Sequence, residues 1–319
     1  MKNDLAIGID IGGTNTVIGV VNRDGKCLQE SSIKTGLYLG AEAYVEALAK
    51  EIRQLEETAD FNSKIIGIGV GAPNGNFHTG SIEFAPNLNW KGVVPLASMI
   101  GAKVNSPVVL TNDANAAAIG EMIFGAAKGM KDFIVITLGT GVGSGIVVNG
   151  ELVYGHDGFA GEIGHTVVDP DGRLCGCGKK GCLETYSSSK GIVNTVIELL
   201  NNSEEPSLLR KHTISEINSL QIYEAACNND KLALEAFEYT GKMLGIKLAD
   251  AVAHTSPEAI ILFGGLSLAG KFIFDPVKKY MDLYLLPIWR DKIKLLPSQL
   301  NENNAAVLGA AALAFKQFS

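Results

Sequence analysis

Two stretches of this chain repeat one pattern: IDIGGTNTVIGVV (9–21) and ITLGTGVGSGIVV (136–148). Each is an apolar run, a turn containing a Gly-Thr pair, and a second apolar run, which is the pattern of a β-hairpin. A hairpin repeated at this distance implies two related α/β domains, each begun by the same strand–turn–strand unit. The surroundings agree. LAIGIDIGGTNTVIGVVNRDGKCLQES reads as a three-stranded meander, and the segment 132–155 restarts the same sequence of strands and turns. The 37 glycines are clustered, often in tight turns after apolar runs, with no collagen-like period. That is the placement expected where backbone approaches backbone or a ligand.

Between and after the two meanders the apolar spacing alternates in type. A helix is predicted over 41–58, strands over 64–73 and 106–113, and a helix over 114–127. A strand therefore delivers Asn112 and Asp113 to a helix N-terminus. Further helices are predicted over 187–200, 222–228 and 231–254. A last core strand, 258–270, ends in a Gly-Gly turn, and a helix covers 303–318. The 319 residues suffice for two cores. The expected division is an N-terminal α/β domain over 1–116, joined by the C-terminal helix 303–319, and a larger domain over 117–302.

Charge and composition exclude several function classes. A formal net charge of −7 argues against general attraction to nucleic acid or to an anionic membrane surface. No apolar run approaches the ~18 residues of a membrane span. The start, MKNDLAIGID, lacks the apolar stretch and cleavage site of a signal peptide. The reading is a cytoplasmic protein, where a disulfide framework is not expected.

Three groups of residues could do chemistry. In DIGGTNT (10–16), an acidic residue leaves a strand and is followed by main-chain N–H groups across Gly12, Gly13 and Thr14. Such a turn can cradle phosphate oxygens while the Asp10 carboxylate holds Mg²⁺. It is not a Walker A loop, since no lysine follows and the next element is a strand. GIGVGA (67–72) and GCGKKG (176–181) match dinucleotide fingerprints, but neither opens a helix within a βαβ unit. Asp113, at a strand end and a helix start, can accept a proton from a substrate hydroxyl; as a simple N-cap it would need no catalytic role. LCGCGKKGCLE (174–184) holds Cys175, Cys177 and Cys182, too close for relaxed disulfides among themselves. No C-x-x-C redox pair is present. His165, in GEIGH, is the nearby fourth ligand that would complete a closed tetrahedral zinc site.

Taken together, IDIGGTNT, LGTGVGSGIVVNGELVYGHDGFAGEIGH and the cysteine motif C-x-C-G-x-x-G-C-x-E resemble the ROK family of sugar kinases over nearly the whole chain. The resemblance implies two RNase H-like or actin-like ATPase domains with an inter-domain active-site cleft. It implies transfer of the γ-phosphoryl group of ATP to the 6-hydroxyl of a hexose. Asp113 would be the general base and Asn112 a hydrogen-bond partner of the sugar. Asn87 would line the sugar pocket, and Glu162, His165 and Glu184 would hold ring hydroxyls. His165 would present its other nitrogen to a structural Zn²⁺ shared with Cys175, Cys177 and Cys182. Asp10, Gly12, Gly13, Thr14, Asn15, Thr140 and Gly141 would face the phosphates, with Asp10 holding Mg²⁺ directly or through water. Gly264 and Gly265 would face the adenosine.

The full cysteine motif and EIGH are closer to the glucokinase branch than to the fructokinase branch, making glucose the first choice. Kinases of N-acetylmannosamine, N-acetylglucosamine and other hexoses share the motifs. Where the family usually reads G-x-V-D after the strand at 65–71, this chain has NGNF (74–77), which brings the Asn74 side chain near the sugar. ROK-like repressors carry a helix-turn-helix domain ahead of this core, and here the first core strand begins by Leu5. An actin-like ATPase without a sugar substrate would have no use for the Glu162/His165/Glu184 set. The partners expected are a sugar and ATP, not nucleic acid or membrane, and the resemblance implies a homodimer.

Overall fold

The protein is described here by a computed structural model covering residues 3–58, 63–300 and 304–319. Its strands are β1 (Asn3–Ile11), β2 (Thr16–Asn22), β3 (Cys27–Ile33), β4 (Ser63–Ala72), β5 (Gly75–Asn76), β6 (Ser81–Glu83), β7 (Val93–Val94), β8 (Val108–Asn112), β9 (Phe133–Leu138), β10 (Val142–Val148), β11 (Glu151–Leu152), β12 (Ala259–Phe263) and β13 (Lys294–Pro297). Its α-helices are α1 (Ala41–Thr58), α2 (Leu96–Gly101), α3 (Asp113–Ile123), α4 (Glu184–Ser187), α5 (Ser189–Asn202), α6 (Ser219–Cys227), α7 (Lys231–Thr255), α8 (Lys271–Tyr284) and α9 (Ala305–Phe318).

The duplication read from the two hairpins extends to whole sheets. One sheet has the order β3-β2-β1-β4-β8 and the other β11-β10-β9-β12-β13. In the first, β1 pairs antiparallel with β2 and parallel with β4, and β4 pairs parallel with β8. In the second, β12 pairs parallel with both β9 and β13, and β10 pairs antiparallel with β11. The chain divides into two compact units. Unit 1 comprises Met1–Met130, Gly145–Gly161 and Gln299–Ser319; unit 2 comprises Lys131–Ser144 and Glu162–Ser298. The division falls inside β10.

In unit 1 the central strands are apolar on both faces, as a doubly covered sheet requires. Ile7, Ile9 and Ile18 pack with Tyr44, Leu48 and Ile52 of α1 on one side. On the other, Ala6 and Val21 meet Val307, Leu308 and Ala311 of α9. The helix comes this close because Gly8 and Gly69 carry no side chain. A Cβ at either would strike the main-chain carbonyl of Val307 or Ala310. In unit 2, Phe133–Ile136 and Ala259–Leu262 are fully buried, and α7 packs along α5 and α8.

The predicted helix over 41–58 is α1, and that over 231–254 is α7 extended by one residue. The helix predicted over 114–127 starts one residue earlier and stops at Ile123. There the Glu121 carboxylate takes the Ala126 N–H and Phe124 becomes the C-cap. The helix expected over 303–318 is α9, with residue 303 outside the described residues. Several elements carry no signal strong enough to predict, α8 and the short sheet β5-β6-β7 among them. α8 holds Pro276 in its interior, which reads as a helix breaker, yet the ring is buried against Gly241 of α7. The short sheet β5-β6-β7 has strands of two or three residues.

Candidate active site

In unit 1 the carboxyl ends of β1 and β8 carry Asp10 and Asp113, with β4 between them. Gly71 of β4 lies under the Asp113 Cα and leaves room for the start of α3. Asn112 is the N-cap: its Oδ1 accepts from Ala114 N at 2.8 Å and Asn115 N at 3.4 Å. The capping role open to Asp113 in the sequence thus belongs to its neighbour. Asp113 is the first helical residue, and its own Oδ1 also accepts from Ala114 N at 2.8 Å. Its tip is reached by solvent, yet the surrounding protein desolvates the carboxyl and pushes its pKa up, while the Ala114 N–H opposes that shift. An accessible carboxylate with a raised pKa is the form a proton acceptor takes.

Burial, followed by the nearby Asp113 charge, pushes the Asp10 pKa up to about 6. A folded-state pKa above the unfolded value of ~3.9 contributes stability that is complete at low pH and lost as pH rises through ~6. Asp10→Asn is therefore expected to raise the melting temperature at pH 8, by a gain on the order of 1–2 kcal/mol, with the difference vanishing near pH 4. Melting curves in the absence of nucleotide check this. A pH-independent difference would show that the Asp10 carboxyl is not destabilised by its surroundings.

The turn after β1 is closed by Gly12 N donating to Asn15 O at 2.9 Å, and Thr14 and Asn15 are exposed. Asn87 lies in an exposed loop beside this turn: a Cβ on Gly13 would sit 2.6 Å from Asn87 O. Asn74 holds the left-handed conformation (φ 51°) that asparagine tolerates better than most residues. Its Nδ2 donates to Glu83 O at 2.9 Å, bracing the β5–β6 hairpin.

In unit 2 the turn after β9 carries Thr140 and Gly141. Gly139 N donates to Gly141 O, and Gly139 O accepts from both N and Oγ of Ser189 at the start of α5. The strand predicted over 258–270 is shorter: the adjacent parallel strand β12 stops at Phe263, and the next residue, Gly264, has a φ of 97° and ψ of 172° that only glycine adopts readily. A Cβ there would lie 2.9 Å from Leu138 O. The Gly264–Gly265 turn and the Thr140–Gly141 turn thus stand at the same end of neighbouring strands.

The cysteine motif folds as a tight loop, with Cys175 N donating to Lys179 O at 2.8 Å and Val167 bridging to Cys182. His165, Cys175, Cys177 and Cys182 bring their ligand atoms within 4.8 Å of one another. Cys177 Sγ and Cys182 Sγ are 3.6 Å apart, and Cys175 Sγ and His165 Nδ1 3.7 Å. Zn–S bonds of ~2.3 Å in a tetrahedron place sulfurs about 3.8 Å apart, so the donor set and spacing fit Zn²⁺. Burial pushes the Cys175 thiol pKa up, a shift that the charge of a bound cation reverses. Glu184 adjoins the cluster, accepting from Cys175 Sγ at 3.1 Å and lying 3.7 Å from His165 Nδ1. Glu162 is exposed and precedes the short 3₁₀ turn Ile163–His165.

A family model described as the ROK family matches residues 6–317. The chain belongs to the ROK family. It is 38% identical over 316 residues to a glucokinase of Streptomyces coelicolor, covering 97% of each chain. The solved ROK family glucokinase from Streptomyces griseus, in complex with glucose and AMPPNP, is 37% identical. It superposes with a TM-score of 0.82 over 98% of this chain and 99% of that one. A ROK family transcriptional regulator, a homolog of the E. coli MLC protein, is 27% identical with a TM-score of 0.88. The match covers 98% of this chain and 78% of the regulator. The fold is thus the actin/hexokinase-like two-domain ATPase fold.

One residue beside the cysteine loop had no role in the sequence reading. Arg173, just before the cysteines, donates to Glu198, Thr195 Oγ1 and the carbonyls of Thr185 and Gly191, and stacks on the Tyr186 ring. It ties both ends of the cysteine loop to α5. Its position beside the motif was the only available signal.

Proposed function

We propose that this ROK protein is a glucokinase, transferring the γ-phosphoryl group of ATP to the 6-hydroxyl of glucose. The observation that carries the reading is near end-to-end similarity to a glucokinase solved with glucose and AMPPNP. In unit 1, the Asp113 carboxylate takes the proton of the sugar 6-hydroxyl as that oxygen forms its bond to the γ-phosphorus. The bond from that phosphorus to the β-phosphate oxygen breaks, and ADP leaves with the electron pair. Capping occupies Asn112 Oδ1, so its Nδ2 is the group that meets a sugar oxygen. Asn87 and Asn74 contribute further polar contacts to the sugar. The Gly12–Asn15 turn offers N–H groups to phosphate oxygens.

In unit 2, Glu162, His165 and Glu184 hold ring hydroxyls. Thr140 and Gly141 meet the phosphates, and Gly264 and Gly265 face the adenosine. Asp10 would hold Mg²⁺, directly or through water, and the ion would supply neutralisation of phosphate charge. Cys175, Cys177, Cys182 and His165 Nδ1 would hold a structural Zn²⁺, which would fix the His165 ring and leave its Nε2 for the sugar. A site built around hydroxyls can reject an analogue lacking one by on the order of 10⁴-fold. The protein is expected in the cytoplasm, as a homodimer.

The test is a coupled ADP-release assay across glucose, mannose, allose, N-acetylglucosamine and N-acetylmannosamine. Glucose should give the highest kcat/KM; a preferred N-acetylhexosamine would move the protein to another ROK kinase specificity. The similarity to a ROK transcriptional regulator favours a second reading, a sugar-responsive regulator. The same assay separates the two, because that reading requires sugar binding without sugar-dependent ADP release.

A further inference from the structure

The roles above leave out a lysine in unit 1. Residues 84–92 form a loop between β6 and β7, closed at its neck by Phe84 N donating to Gly92 O at 2.8 Å. Lys91 folds back onto it. Its Nζ donates to the main-chain carbonyls of Leu88 at 2.7 Å, Pro86 at 3.2 Å and Ala85 at 3.4 Å. An ammonium has three N–H bonds, and each here meets a carbonyl. These acceptors flank Asn87, the residue assigned to the sugar. A surface lysine ordinarily keeps its side-chain freedom, and ordering it this way costs entropy that the three bonds must offset.

The same loop reaches the phosphate side. The missing Gly13 side chain leaves room for Asn87 O. Asn89 Nδ2 donates to Gly36 O at 3.0 Å, and Gly36 N donates to Thr14 O at 3.3 Å. Trp90, 6% exposed, anchors the opposite side of the loop by packing at a tilt against Tyr44, with ring centroids 4.6 Å apart. The loop is therefore a strut between the Asn87 amide and the Gly12–Asn15 turn, and Lys91 is its internal brace.

We propose that Lys91 is a positioning residue for phosphoryl transfer: by gathering the Ala85, Pro86 and Leu88 carbonyls it fixes Asn87 for the sugar and, through the Gly13 contact, the phosphate turn. The inference rests on the kinase reading and on the place of Asn87 within it. Lys91 touches neither reacting group, so its loss acts through geometry. A displacement of about 1 Å in a positioning element can cost on the order of 10²-fold.

The experiment uses Lys91→Ala, which removes the equivalent of propylammonium, in a Trp289→Phe background that leaves Trp90 as the sole tryptophan. The expected result is a rise in sugar KM of roughly 10- to 100-fold with kcat less affected, and a smaller rise in ATP KM. Trp90 emission should shift in parallel. Added propylammonium should restore both, whereas tetramethylammonium, which has no N–H, should restore neither. An unchanged KM overturns the inference even if Trp90 emission moves, since the brace would then be purely structural. A raised KM that propylammonium does not lower beyond tetramethylammonium overturns it as well. Failure of the unaltered protein to phosphorylate any sugar would instead overturn the kinase reading itself.

Discussion

Replacing Asp113 by Asn is expected to lower kcat by about 10²–10⁴-fold while the sugar dissociation constant stays within a few-fold, because the amide keeps the shape but cannot accept the proton. Phosphoryl transfer is mainly positioning and charge neutralisation, so some residual turnover should remain. The pH profile sharpens the expectation. Only the ionised carboxylate accepts a proton, so kcat/KM of the unaltered enzyme should fall as pH drops through the Asp113 pKa. Desolvation has pushed that pKa up, which places the acid limb above the ordinary carboxylate range. In Asp113→Asn that limb should disappear from the residual activity. Asp10, whose pKa of about 6 owes part of its rise to the Asp113 charge, should then titrate lower. Calorimetric binding of glucose and single-turnover kinetics separate the terms, and retention of most activity would remove Asp113 from the role of base.

Loss of one thiol of the proposed zinc site should have the next largest effect. Cys182 is fully buried and 3.6 Å from Cys177 Sγ, so Cys182→Ser removes a ligand from the interior of the cluster. Structural zinc sites in small peptides have apparent binding energies of about 10–16 kcal/mol. If only ~3 kcal/mol of that reached global stability, the melting temperature would fall by roughly 6–12 °C. The functional consequence is the more diagnostic one. His165 and Glu184 adjoin the cluster, and loosening supporting groups of this kind costs about 10–100-fold. Zinc content should fall, and sugar KM should rise by that factor while ATP KM changes less. Cys227→Ser, which alters an exposed thiol outside the cluster, should leave all three unchanged. Normal sugar binding by zinc-free protein would sever the metal from the sugar-binding role.

Much of the architecture was legible because it is encoded locally. The repeated strand–turn–strand unit anticipated two related α/β halves, and the apolar run at 64–73 is an interior strand because both faces are covered; the run at 106–113, read as another, is instead β8 at the edge of its sheet. α8 was not legible: Pro276 argues against a helix in isolation, and only the fit of its ring against Gly241 of α7 makes the helix tolerable. The helix after Asp113 ended early for a similar reason, since the Glu121 carboxylate competes for the next main-chain donors.

The site divides the same way. Spacing alone assembled the ligand set of the cysteine loop, because four residues within a short segment can close around one ion with little help from the rest of the chain. The glycines of the turn at 10–16 were the local signal for the phosphate role proposed for it. Asp113 could be read as base or cap from sequence, and the hydrogen bonds from Ala114 and Asn115 to Asn112 gave the cap to its neighbour. The crowding of Asp10 by Asp113, and the brace that Lys91 makes across its loop, have no local signature. Desolvation and charge proximity depend on what the rest of the chain packs around a residue. The sequence by itself determined the strands and turns of the two meanders and the metal-ligand spacing; tertiary structure alone decided which carboxylates are strained, which carbonyls a lysine gathers, and which helix lies against Gly8 and Gly69.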